Sequence, residues 1–165
     1  MNPPYSTNNL VGPSPGNSYL AAHVARLLTS FRHWTGKNLM GPSISLKTQA
    51  RDLFNAPFAI LSHDTAADPI LNYANQTGLR LFGLSWDELI TMPSRLTAQT
   101  LEQTERARLL SKVSERGYID DYRGIRITKG GRRFLIERAT VWNLLDESGG
   151  LYGQAATFGE WRFLD

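Results

Sequence analysis

Apolar positions recur at helical spacing over residues 18–35, SYLAAHVARLLTSFRHWT, where Leu20, Val24, Leu27, Leu28, Phe31 and Trp34 share one stripe. Ser18 stands where a cap is needed, and Gly36 ends the pattern. A shorter helix is expected over SLKTQARDLFNA. The pattern then changes. PFAILSHD (57–64) and PILNYA (69–74) read as strands joined by the turn TAAD. Asn75 caps a short helix, QTGLRLFG, that stops at Gly83. Ser85 and Glu88 form a Ser-x-x-Glu capping box ahead of WDELIT, and Pro93 closes that turn of helix. Residues 97–116 carry the longest charged helical pattern, with Leu101, Leu109, Leu110 and Val113 as its apolar contacts and Gly117 as its stop. Three strand segments follow, divided by the hairpin turns KGG and DESGG.

The order β-β-α-α-α-β-β-β predicts an α+β domain: a five-stranded antiparallel sheet with helices on one face, forming a cup, plus an N-terminal helical extension. The expected divisions are a flexible arm at 1–17, the helical extension at 18–53, the cup domain at 54–160 and a tail at 161–165. The apolar faces of the strands and of the short helices propose Phe58, Ile60, Phe82, Trp86, Ile127, Ile136 and Trp142 as the lining of the cup. In RRFLIERATVWNLL the alternation leaves two registers open. If Phe134, Ile136, Thr140 and Trp142 face the helices, so does Arg138; in the opposite register Glu137 faces them with Leu135, Ala139 and Val141. Either way a charged residue points into the cup and needs a partner. Arg138 would suit an acidic ligand, and Glu137 would suit the base of a small isomerase or hydrolase.

Apolar content of 41% fits one globular domain. The net charge of +3 conceals an uneven distribution, with ten Lys/Arg against four Asp/Glu between Arg106 and Arg138. Around the KGG turn Arg123, Arg126, Lys129, Arg132 and Arg133 read as a solvated hairpin tip, because Phe134 is the one aromatic available for base stacking. Nucleic acid is therefore not the expected partner, although the basic balance keeps a nucleic-acid-associated regulatory factor as an alternative. The absence of cysteine excludes disulfides, thiolate nucleophiles and Cys-ligated metals. No metal site is expected: His23 and His33 lie on different sides of a helix, and His63 reads as a solvated strand end. The chain shows no P-loop, no Gly-x-Ser-x-Gly elbow and no other catalytic constellation. Neither a signal peptide nor a transmembrane run is present, so a cytoplasmic protein is expected.

ILNYANQTGLRLFGLSWDEL, with the later ITKGGRRFLIERATVWNLLDESGGLYG, resembles the PAS superfamily. FAILSHD, ILNYAN, LFGLSWDEL, the loop Met92-Pro93-Ser94-Arg95-Leu96-Thr97 and GYIDDYRGIRITKGGRRF are closer to its MEKHLA branch. That branch occurs as stand-alone bacterial proteins and at the C-termini of plant homeodomain–leucine zipper proteins. The resemblance implies a non-enzymatic sensory or interaction module that takes a small organic ligand or a protein partner. A covalent flavin adduct, as in photoreceptor PAS domains, needs a cysteine that this chain lacks. Haem is not expected, since residues 97–116 hold no histidine to serve as the axial ligand. By analogy with PAS proteins, the stripe of Leu20, Val24, Leu27, Phe31 and Trp34 is expected to dock on the sheet or on a second copy in a homodimer.

Overall fold

A computed structural model describes residues 11–164. The first ten residues of the expected arm lie outside the described residues. The chain forms helices α1 (Ala21–Thr35) and α2 (Leu46–Phe54), then strands β1 (Ala59–His63) and β2 (Leu71–Ala74). Helices α3 (Gln76–Phe82), α4 (Trp86–Leu89) and α5 (Thr100–Arg116) follow, then strands β3 (Tyr118–Ile127), β4 (Arg133–Leu145), β5 (Leu151–Phe158) and β6 (Glu160–Phe163). The sheet is antiparallel, in the order β2-β1-β5-β4-β3. β6 makes it six-stranded where five were expected. The chain bends at Gly159, so that β5 pairs with Thr140–Leu145 of β4 and β6 with Phe134–Glu137. Most of the expected tail is thus part of the sheet.

Asn75 pins the turn from sheet to helices. Its Oδ1 accepts from the N–H groups of Gly78 (3.0 Å) and Ile60 (3.2 Å). Its Nδ2 donates to the carbonyls of Phe58 (2.8 Å) and Leu53 (3.0 Å). One buried amide therefore caps α3 and also ties the end of α2 to the start of β1. Ser85 and Glu88 form the expected capping box of α4.

Helices cover both faces of the sheet: the cup helices lie on one, and the N-terminal extension, expected to dock on the sheet or on a second copy, lies on the other. α3, α4 and α5 lie over the inner face. α1 and α2 lie over the outer face, where Leu20, Val24, Leu27 and Phe31 pack on Ile60, Tyr73, Trp142, Leu144 and Ala155. Trp34 completes the docking: its Nε1 donates to the Asn143 carbonyl (2.9 Å), and its ring covers Gly117. Gly117 has φ +96 and no room for a Cβ against that ring, so both conformation and contact require glycine there. Ser18 does not cap α1. Ser18, Tyr19 and Leu20 all take left-handed backbone conformations (φ 54, 54 and 57), and Leu20 occupies the capping position.

A buried polar contact joins α1 to the sheet. The Ser62 hydroxyl donates to Asn72 Oδ1 (2.6 Å), so His23 Nε2 donates to Ser62 Oγ (2.9 Å). His23 Nδ1 is then left to accept from the Tyr152 hydroxyl (3.4 Å). Burial, helped by the nearby charge of Arg26, lowers the His23 pKa from 6.5 to about 4.

Two measurements check this account. Leu27 is sealed between α1 and the sheet, whereas Leu101, expected from the sequence to pack, is 89% exposed on α5. Leu27→Ala is expected to cost about 2–5 kcal/mol in chemical denaturation, and Leu101→Ala less than about 0.5 kcal/mol. The second concerns pH. Because the folded His23 value lies below the unfolded one, the unfolded chain takes up a proton first as pH falls. Stability is full above pH 6.5 and is lost towards pH 4, by about 3 kcal/mol for this residue. His63 carries a shift of the same sign. His23→Gln is therefore expected to reduce the acid-side slope of stability against pH without abolishing it.

Candidate functional site

Between α5 and the inner face of the sheet lies a partly open cavity of about 70 Å³. Apolar walls come from Leu61, Leu109, Ile136, Val141 and Phe158, and polar groups from His63, Thr97, Arg106, Tyr122, Arg126 and Gln154. Helical spacing puts Arg106 there: Arg106, Leu109, Leu110 and Val113 stand at i, i+3, i+4 and i+7 of α5. Hairpin register puts Arg126 there. The turn after β3 closes with the Thr128 N–H donating to the Arg132 carbonyl (2.8 Å), so Arg126 falls opposite Phe134 on the inner face.

The polar groups form one directed chain of hydrogen bonds. Arg106 Nη2 donates to Ser94 Oγ (3.0 Å), and Ser94 donates to His63 Nδ1 (2.9 Å). His63 Nε2 donates to Gln154 Oε1 (3.1 Å), and Gln154 Nε2 donates to Asn143 Oδ1 (3.0 Å). Asn143 Nδ2 donates to the Val113 carbonyl (2.9 Å). The chain starts and ends on α5 and crosses β1, β5 and β4 between. It requires a neutral His63 protonated at Nε2. The environment favours the neutral form: burial and the charge of Arg106 outweigh the Gln154 bond and Asp64, bringing the pKa from 6.5 to about 4.

Arg106 and Arg126 converge on the same cavity. Burial, and after it the charge of Arg126, lower the Arg106 pKa from 12.5 to about 10, against an opposing pull from Tyr122. Arg126 is only 7% exposed. Its Nη1 donates to the Ile125 carbonyl (2.8 Å) and its Nη2 to the Tyr122 hydroxyl (3.3 Å). The Tyr122 hydroxyl in turn donates to Glu105 on the rim (2.7 Å).

Of the residues proposed from sequence, Phe82 and Ile136 line this cavity. Ile60 and Trp142 are buried on the opposite face beneath α1; Phe58 packs at the edge of that outer cluster, and Trp86 spans both clusters. Ile127 is half-buried at the end of β3 and is not part of the lining. Neither register proposed for β4 holds along its length. Arg138 sits at a β-bulge with φ +53, and the inward parity changes there from Phe134 and Ile136 to Ala139 and Val141. The Arg138 side chain is 76% exposed and faces Glu160 (3.6 Å). Glu137 pairs with Arg123 (3.3 Å) outside the cavity, so the carboxylate base considered for it has no place in the cup.

His63 is buried rather than solvated, and Arg126 turns inward from a hairpin expected to be solvated throughout. Other cations of that hairpin are already engaged. Lys129 pairs with Glu88, and the Arg132 guanidinium lies 3.9 Å from the Phe163 ring centroid. Among the described residues no group of His, Asp and Glu side chains could hold a metal ion, and no helix is long and apolar enough to cross a membrane.

The fold is that of PAS domains. A solved PAS domain from Colwellia psychrerythraea superposes with a TM-score of 0.60 at 19% identity, covering 72% of this chain and 96% of that one. An RNA-binding light-oxygen-voltage receptor superposes with a TM-score of 0.60 at 21% identity, covering 78% of this chain and 35% of that one. A flavin does not fit the cup of this chain: about 70 Å³ is far below the roughly 300–1,000 Å³ of drug-sized ligand sites, and no cysteine is available for an adduct. In sequence, the chain is 30% identical to the homeobox-leucine zipper protein ATHB-9 of Arabidopsis thaliana over 93% of its own length, and it spans 20% of that protein. The MEKHLA domain profile matches residues 21–163, and the chain belongs to the MEKHLA domain family.

Proposed function

We propose that this protein is a non-enzymatic, cytoplasmic sensory module. Its cup binds a small molecule, and it reports occupancy through the docking of α5 on the sheet. The observation that carries this reading is the hydrogen-bond chain from Arg106 to the Val113 carbonyl. α5 is held at two points along its length, at Arg106, which borders the cavity, and at the Val113 carbonyl by Asn143, which is joined to the cavity-lining His63 through Gln154. A molecule that touches Arg106 or His63 competes for these bonds and shifts the balance between docked and loosened α5. The family membership and the PAS fold support the reading, since PAS-like modules join a ligand cup to a responsive helix. The apolar stripe of α1 is covered by its own sheet. A homodimer or a complex with another protein would therefore form through a different surface.

Native mass spectrometry of the gently purified full chain tests the proposal. A retained small molecule is expected, released on unfolding and missing from the cavity-filling variant Ala156→Phe. A bare wild-type chain whose melting temperature responds to no member of a small-metabolite panel would contradict it.

A further inference from the structure

We infer that the cup binds a short monocarboxylic acid, its carboxylate bridging Arg106 and Arg126 and its apolar body lying against Leu61, Ile136 and Phe158. The inference rests on the reading of the cup as a ligand site and names the ligand's chemistry.

Two guanidinium groups border one small, partly open cavity, Arg126 buried and Arg106 half-buried, and like charges so placed repel. A buried charge calls for a counter-charge. Among the described residues, ion pairs engage Arg51, Arg95, Arg123, Lys129 and Arg138, and no carboxylate lies within 4.0 Å of Arg106 or Arg126. Glu105 reaches Arg126 only through the Tyr122 hydroxyl. Ser94, the Ile125 carbonyl and Tyr122 fix the two side chains while leaving further N–H donors of each planar fork unused. That is a preorganised cationic pair whose missing partner is an anion, and guanidinium forks match the two oxygens of a carboxylate.

The walls narrow the class. Beyond the arginines the lining is mainly aliphatic and aromatic, which suits a ligand with one charged end and an apolar body. A tetrahedral phosphate would press unpaired oxygens against leucine and phenylalanine. The size agrees: about 70 Å³ corresponds to roughly five water positions, the scale of a three- to five-carbon acid.

Isothermal titration of the full chain with butyrate, neutral butyramide and inorganic phosphate tests the inference. Butyrate is expected to bind, with butyramide and phosphate each at least roughly tenfold weaker. Arg106→Met and Arg126→Met are each expected to weaken butyrate by roughly tenfold or more while keeping the wild-type circular dichroism spectrum. Should a Met variant fail to fold, Arg106→Lys and Arg126→Lys keep the charge, lose the fork, and are expected to weaken butyrate measurably. The inference is overturned by absence of butyrate binding, by equal affinity for butyramide, by preference for phosphate, or by folded arginine variants that bind like the wild type. A neutral metabolite seated in the cup without dependence on either arginine would overturn it while leaving the sensory reading intact. Butyrate binding that depends on both arginines but leaves α5 unchanged would do the reverse.

Discussion

The sheet of this protein is buried on both faces, and most of the structure follows from that constraint. α1 seals the outer face through Leu27, Phe31 and Trp34, so both parities of the central strands are committed to packing. Side chains of one parity meet α1; those of the other enter the cup. Charged residues on β4 have nowhere to go in a regular strand. The bulge at Arg138 resolves this by turning Arg138 and Glu137 towards Glu160 and Arg123 while Ala139, Val141 and Asn143 take the inward positions. A left-handed residue at Asp121 (φ 54) makes the matching irregularity on β3. The polar groups that remain inside must then satisfy one another, which is the origin of the chain from Ser94 to Asn143.

Much of this was legible in the sequence, and the failures share a cause. Local signals worked: Asn75, the Ser85–Glu88 box, the strand runs and the stop at Gly117 depend on a few neighbouring residues. Arg106 and Arg126 were also within reach. The first follows from i, i+3, i+7 spacing with Leu109 and Val113, and the second from counting back across the KGG turn to Phe134. Weighing the basic hairpin as a single solvated patch hid the one residue of it that points inward.

The remaining errors lay in long-range packing. A bulge at an arginine carries no glycine to announce it, so uniform alternation put either Arg138 or Glu137 into the cup. Leu101 is an exception with a local cause: at about 100° of helix per residue it stands well away from the stripe of Arg106, Leu109, Leu110 and Val113, so it faces outward. His63 appeared solvated because its partners, Ser94 and Gln154, stand 31 and 91 residues away. The second helical layer and β6 likewise depend on which surface covers which, and no short window contains that.

In the function proposed above, anion recognition and signalling would meet on α5. Arg106 belongs both to the cationic pair and to the chain that ends at Val113, so neutralising it acts on the same helix that the chain anchors. α1, held by His23 and Trp34 on the far face, is the fixed reference. Amide hydrogen exchange along the full chain, with and without saturating butyrate, reads this coupling most directly. Binding is expected to slow exchange in residues 100–116 and leave α1 unchanged. Uniform exchange in α5 despite proven occupancy of the cup would contradict the account.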